Sequence, residues 1–369
     1  MKNKQQIAVD VLGLHPGAPG GFKADAEVFS TYLPALGVGL RLIGYTRGVV
    51  KGEAEYCPVL TRFFPHMYLI YFLLFFVAPF LPIRKGSIIM VNRIPDVLPF
   101  VIFYPRHPKV CRMTGPNASL KLNHSRALYW IYLGLERLCV PFVRKFIVVD
   151  HLSRDYLRRR YGIPEEKIVL IPVMPDLQVF RPLDRIEARR RFGFGGDEKI
   201  CLYIGRLTRA KNLELLLEAY DRVAEMGHQA RLVIAGDGPH RHVLEDLSKH
   251  VRGKVTFTGH VDHDNVPWLL NCADVFTFPS LTEGSPNVVK EALACGVPVV
   301  STRVGDVPEY VKDGLNGYVV DPEIESFANG LLRALDTRER LRRGALACRD
   351  ALDAQRVMEA YVRVFQEIV

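Results

Sequence analysis

Short apolar runs alternate with stretches of helical length along most of the chain. In the first half, runs at 7–11, 41–44, 87–91, 109–113 and 145–149 predict strands. In the second half the corresponding runs fall at 199–204, 231–235, 255–258, 275–278 and 297–302. Alternation of this kind is the pattern of parallel βαβ units, and two successive doubly wound halves are the economical assembly. The series is interrupted at 179–184, where Pro182 precedes a basic helical stretch at 185–192, so a linker is expected there.

Two apolar stretches depart from the alternation. Residues 63–83 contain no Lys, Arg, Asp or Glu. At about 1.5 Å per residue such a stretch just reaches across a bilayer as a helix. Pro65, Pro79 and Pro82 break it, however, leaving about 13 residues between the first two, a length more typical of a buried or interfacial helix. A crossing would also put strand 7–11 and the later strands on opposite sides of a membrane, which one folded sheet forbids. An interfacial segment, a core helix and a true span are the three readings, in that order. A second apolar helix is expected at 127–143, followed by Arg144 and Lys145, and the segment 354–369 reads as an amphipathic helix. The apolar run 7–14 ends at Pro16 and Gly17 and reads as a strand and loop rather than a signal peptide.

Composition narrows the class. A length of 369 residues fits two domains, and 49% hydrophobic with 24% charged residues excludes disordered, collagenous and disulfide-scaffold proteins. The seven cysteines form no C-x-x-C pair, which fits a reducing compartment and signals no zinc ribbon. The net charge of +9 is unevenly spread. Residues 1–180 hold 23 basic against 12 acidic residues, and 181–369 hold 26 against 28. The whole excess lies in the first half, as either a soluble basic surface or a face for something anionic. Nucleic acid is disfavoured, because the charge accompanies apolar residues without a recognisable reading motif.

Candidate chemistry is concentrated in the second half. After the run ending at Ile204 come Gly205, Arg206 and, five residues on, Lys211, two cations able to flank a diphosphate. Gly236-Asp237-Gly238-Pro239 forms a second tight strand-to-helix turn at the same sheet edge. Between Glu283 and Glu291 lie Gly284, Ser285, Pro286, Asn287, Val288, Val289 and Lys290. Ser285 is a good N-cap and Pro286 suits the first helical position, so a helix with free backbone N–H groups, an anion site, is expected to start there. Glu291 then lies about 6 Å along the axis from Asn287, roughly the step from a phosphate to a ribose. Asp262-His263-Asp264 reads as a capping cluster rather than a metal motif.

The E-x7-E spacing of Glu283 and Glu291, followed by Ala-Leu-Ala-Cys-Gly-Val-Pro-Val-Val, resembles the signature of the retaining nucleotide-sugar glycosyltransferases of family 4. The resemblance runs through Gly205-Arg206-Leu207, Lys211-Asn212, Gly236-Asp237-Gly238-Pro239, Gly259-His260, Asp313-Gly314 and Asn316-Gly317, covering nearly all of 199–320. It implies the GT-B fold, two Rossmann-like doubly wound α/β domains facing a cleft. An acceptor domain at 1–180, a donor domain at 185–353 and a last helix, 354–369, returning to the first domain follow from it. Arg206 and Lys211 would neutralise the diphosphate, and Glu283 with the backbone from Gly284 to Asn287 would hold the donor sugar. Glu291 would bind the ribose, with Gly205, Gly238 and Val288 completing the donor site.

The first half matches more loosely. Gly20-Gly21 before a helix from about Ala24 resembles the family's glycine-rich acceptor and phosphate loop. The chain departs from the family pattern at Thr114-Gly115, where His-Gly is common, so Arg93, His107 and His124 are substitute candidates. It departs again at Val173-Met174-Pro175-Asp176, and at Gly305-Asp306 in place of Gly-Gly. The resemblance implies hexosyl transfer with retention from a UDP- or GDP-linked donor, without cofactor or metal. Joined to the basic, apolar first half, it suggests a lipid-linked or cell-envelope glycan acceptor, and a cytoplasmic protein on the inner, anionic face of the membrane. A non-catalytic scaffold on the same fold and a nucleotide-sugar epimerase are the alternatives.

Overall fold

A computed structural model describes residues 7–12, 21–44, 54–58, 75–114 and 126–369. The chain divides into two compact units, one made of Met1–Val173 with Ala354–Val369 and the other of Met174–Asp353. The division thus falls upstream of the expected linker at 179–184. The physical reason is that this segment is already bonded into the second unit. Phe180 is buried with its ring 5.7 Å from that of His263, and Leu183 N–H donates to Asn271 Oδ1 at 2.9 Å.

The first unit is built on a seven-stranded parallel sheet in the order β3-β2-β1-β4-β5-β6-β7. Its strands are β1 (Ile7–Leu12), β2 (Val38–Gly44), β3 (Glu55–Pro58), β4 (Ile88–Val91), β5 (Lys109–Met113), β6 (Lys145–Val148) and β7 (Ile168–Leu170). Every residue of β4 and β5 is buried, as expected for a parallel sheet covered on both faces. Buried within β5 is Arg112, whose Nε donates to Tyr361 Oη at 2.9 Å and whose guanidinium lies 5.3 Å from the Phe29 ring centre. Phe29 and Tyr361 themselves meet edge-on at 5.0 Å. These contacts fasten the helix Ala354–Gln366 to the helix Gly21–Ala35 within this unit.

The second unit carries a six-stranded parallel sheet, β10-β9-β8-β11-β12-β13. Its strands are β8 (Ile200–Ile204), β9 (Arg231–Ala235), β10 (Lys254–Gly259), β11 (Val275–Phe278), β12 (Val299–Thr302) and β13 (Gly317–Val320). The order reverses between β1 and β4 in one sheet and between β8 and β11 in the other, so each unit is doubly wound with a crevice at its switch point. All ten strands expected from the apolar runs are present. Three more, β3, β7 and β13, are edge strands of three or four residues, too short to leave a periodic signal.

Of the apolar stretch 63–83, only 75–83 falls among the described residues. Its 3-10 turn Ala78–Phe80 turns Ala78 inward while Phe76 and Phe80 stay exposed. The expected helix at 127–143 is Arg126–Cys139 with a 3-10 turn Val140–Phe142. Among the described residues, no helix is long and apolar enough to cross a membrane.

Candidate functional site

The loops after β8, β9, β11 and β12 interlock at the carboxyl edge of the second sheet. Gly205 N–H donates to Ala235 O, Leu207 N–H to Asp237 O, and His240 N–H to Leu207 O, at 3.0 to 3.1 Å. Gly238 sits where these loops cross: a Cβ there would lie 2.3 Å from the Leu207 carbonyl oxygen. Its absent side chain therefore serves the close approach of two loops, and through them the placing of Arg206. On the other side, Leu281 N–H donates to Ala210 O at 2.9 Å, which joins the β11 loop to the β8 loop.

This join brings two of the expected residues together. Lys211 Nζ pairs with Glu283 Oε1, and the same ammonium lies 5.5 Å from the Phe278 ring centre. Lys211 reaches that position because its 3-10 turn, Arg209–Lys211, ends at Asn212 in the left-handed region (φ 51°), from which the helix Leu213–Glu225 starts. Arg206 is exposed and makes no ion pair among the described residues. The site therefore holds one cation engaged with a carboxylate and one open to an anion.

The helix Asn287–Ala294 begins beside this pair. Asn287 and Val288 are its first two residues, and the first N–H groups of a helix have no intrahelical acceptor. Together with the dipole, these make a place for phosphate oxygens. Here the structure corrects the expected cap. Pro286, not Ser285, occupies the N-cap, and no side chain caps the helix. The Ser285 hydroxyl is held elsewhere, donating to Asp306 Oδ2 at 2.7 Å while accepting from Lys290 Nζ. Gly284 takes part through its carbonyl, which accepts from Asp306 N–H at 3.0 Å.

Glu291 is buried on the same helix, and desolvation pushes its carboxyl up to about 8. At neutral pH it is mostly protonated in the unliganded protein, and hydrogen bonds donated by a bound diol would draw it back toward ionisation.

In the first unit, Gly20 and His124 lie outside the described residues, and Gly21 opens the helix Gly21–Ala35. Arg93 precedes the 3-10 turn Ile94–Val97 and reaches Asp96 at 3.5 Å. Burial raises the Asp96 carboxyl to about 6 against the opposing pull of Arg93. His107 Nε2 lies 3.2 Å from Arg84 O, so this imidazole is engaged in the scaffold. Of the triplet 262–264, expected as a capping cluster, Asp262 precedes the turn His263–Asn265 without a side-chain cap. Its carboxylate lies 3.8 Å from His260 Nε2 instead. Two residues not anticipated at the site, Lys290 and Asp306, form a buried ion pair at 2.7 Å. The visible signal was a lone lysine among Val288, Val289, Ala292 and Leu293.

Residues 184–345 match the profile of the family described as glycosyl transferases group 1. An uncharacterized glycosyltransferase of Methanocaldococcus jannaschii is 43% identical over 230 residues, 60% of this chain and 57% of that protein. The chain thus spans a little over half the length of this relative. A GDP-mannose-dependent alpha-(1-6)-phosphatidylinositol monomannoside mannosyltransferase of Mycobacterium tuberculosis is 29% identical over 298 residues, covering 75% and 76% of the two chains. Among solved structures, sucrose-phosphate synthase from Thermosynechococcus elongatus superposes with a TM-score of 0.80 over 98% of each chain at 20% identity. That likeness establishes the GT-B type of α/β fold expected from the sequence.

Proposed function

We propose that this chain, whose residues 184–345 match the glycosyl transferases group 1 family, moves a hexosyl unit from a UDP- or GDP-linked sugar to an acceptor hydroxyl with retention. The observation that carries the reading is the meeting of Lys211, Glu283 and the amino end of the helix Asn287–Ala294 at the β8/β11 switch point, with Arg206 on the adjoining loop. In the reaction the bond from the anomeric carbon to the diphosphate breaks, a bond to the acceptor oxygen forms, the acceptor hydroxyl's proton passes to the departing phosphate oxygen, and a nucleoside diphosphate leaves. The main demand on the protein is to stabilise charge growing on that leaving group. Arg206, Lys211 and the helix N–H groups of Asn287 and Val288 suit this demand. Glu283, paired with Lys211, holds the donor sugar rather than attacking it, and Glu291 accepts from the ribose hydroxyls. No metal or other cofactor enters the scheme.

The acceptor is a lipid-linked or envelope glycan reached at the inner, anionic face of a membrane. Support comes from the first unit, which exposes Phe76, Phe80, Ile102, Phe103, Trp130, Ile131, Leu138 and Phe142. Trp130, Ile131 and Leu138 are exposed on the helix Arg126–Cys139 and Phe142 on the 3-10 turn that follows it, and Arg137 and Arg144 are exposed beside them. The mycobacterial relative is named for a phosphatidylinositol-based acceptor, which accords with this choice.

The test is a nucleotide-sugar panel with purified protein, following nucleoside diphosphate release with and without a membrane lipid extract. Release that depends on one donor and on lipid is expected. Tight donor binding without release under any condition would replace the transferase by a non-catalytic scaffold.

A further inference from the structure

Lys290 is the most buried lysine at the candidate site, with 1% of its side chain exposed, and Asp306 beside it shows 4%. The ammonium donates to Asp306 Oδ2 at 2.7 Å and to the Ser285 hydroxyl, and lies 4.6 Å from the Tyr310 ring centre. Ser285 in turn donates to the same Asp306 oxygen at 2.7 Å. The backbone follows the side chains. Asp306 N–H donates to Gly284 O at 3.0 Å, and Gly305, at φ 50°, lies so close that a Cβ would come within 2.1 Å of that oxygen. The turn after β12 is thus clamped onto residues 283–285, the loop that carries Glu283.

This arrangement is an expensive way to hold a core together. Burying two charges costs solvation that their attraction seldom returns in full, and well-packed apolar residues of similar volume often serve stability as well or better. The cost is not fully offset here, because Asp306 Oδ1 is buried without a hydrogen-bond partner among the described residues. What the ionic version supplies and an apolar one lacks is direction: a cation with fixed donors can hold one hydroxyl and one carboxylate in one geometry.

We infer that Lys290 and Asp306 are positioning residues, a buried clamp that holds the Glu283–Ser285 loop in the conformation that receives the donor sugar. The inference rests on the donor-site reading above. It assigns a role to Gly305-Asp306, where this chain departs from the family's Gly-Gly. The clamp touches the loop that holds the sugar, not Arg206 or Glu291, so it governs turnover more than nucleotide affinity.

The test uses the full chain with Lys290→Met and Asp306→Leu combined, so that no buried charge is left unpaired. The double variant is expected to melt close to the wild type. Its kcat should fall about tenfold or more, while Kd for the nucleoside diphosphate changes less than about threefold. Amide hydrogen exchange at Gly284, Ser285, Asn287 and Asp306 should accelerate by about tenfold, reporting release of the loop. Wild-type kcat with unchanged exchange would overturn the clamp. Should the wild-type protein turn over no donor, the transferase reading fails by itself, and the exchange measurement alone still decides whether the pair holds the loop.

Discussion

Asp10 in the first unit and Glu283 in the second are both carboxylates set against a cation, and they are treated in opposite ways. Asp10 is fully buried and saturated. Its oxygens accept from Arg84 N–H at 3.0 Å, Arg84 Nε at 2.9 Å and the Ser87 hydroxyl at 2.6 Å. Glu283 keeps 16% of its side chain exposed and is paired with a lysine that keeps 23%. A saturated pair has nothing left to offer a ligand. An open pair can exchange one partner for an incoming phosphate or sugar hydroxyl at modest cost, since part of its solvation was never lost. The two units differ in the same sense at their surfaces: the first exposes a run of large apolar side chains, whereas those exposed in the second, such as Met226 and Leu247, stand singly.

The comparison breaks most sharply at the open pair and its neighbour. Glu283→Ala, Lys211→Ala and Arg206→Ala should each lower kcat about 10²- to 10³-fold while the melting temperature holds, the scale seen when one preorganised charge or donor is removed from a polar active site. Wild-type rates in all three would dissolve the site. The saturated pair should respond the other way. Arg84→Met leaves the buried Asp10 without its cation, with only the Ser87 hydroxyl and the backbone N–H of residue 84 still donating to it, and is expected to cost roughly 3 kcal/mol in chemical denaturation, with nucleotide affinity in the second unit unchanged.

Glu291 sharpens the contrast through pH. Its carboxyl is raised to about 8 by burial, and the proposed contact, one ribose hydroxyl donating to each oxygen, favours the ionised form. Nucleoside diphosphate binding should therefore weaken as pH falls below 8, by up to about tenfold per unit, with a proton released on binding. Calorimetry in buffers of different ionisation enthalpy reads both effects, and Glu291→Gln should flatten the profile. The stability linkage has a definite sign. Because the folded value lies above the unfolded one, near 4.5, the protonated group's contribution is complete below 4.5 and lost as pH rises toward 8. Above pH 8, Glu291→Gln should accordingly gain in stability relative to the wild type. The smallest expected effect belongs to the surface of the first unit. Trp130→Glu should reduce partitioning onto anionic vesicles about tenfold and leave nucleotide affinity alone, whereas unchanged partitioning would remove the membrane from the scheme.

The parts of the molecule legible in the chain are those governed by local periodicity. Ten strands follow directly from apolar runs and their boundaries, and the helix Arg185–Phe192 from the basic stretch after Pro182. Strands β3, β7 and β13 were not legible, because a three- or four-residue edge strand exists through the neighbour it pairs with. The cap at 285–287 was misplaced for a related reason. Ser285 has the local chemistry of an N-cap, but Lys290 and Asp306, five and twenty-one residues away, compete for its hydroxyl and win.

By itself, then, the order of residues determined the doubly wound α/β class, the concentration of site chemistry in 199–320 and the identity of the charged groups there, because strand periodicity and strand-to-helix turns are written over a few adjacent positions. The tertiary structure alone decided which of those charges are saturated and which stay open, that Glu291 is buried and its carboxyl pushed upward, and that a lysine pairs with an aspartate beside the loop 283–285. Solvation and pairing depend on what surrounds a group in space, and those neighbours are brought together only when β8, β9, β11 and β12 lie side by side.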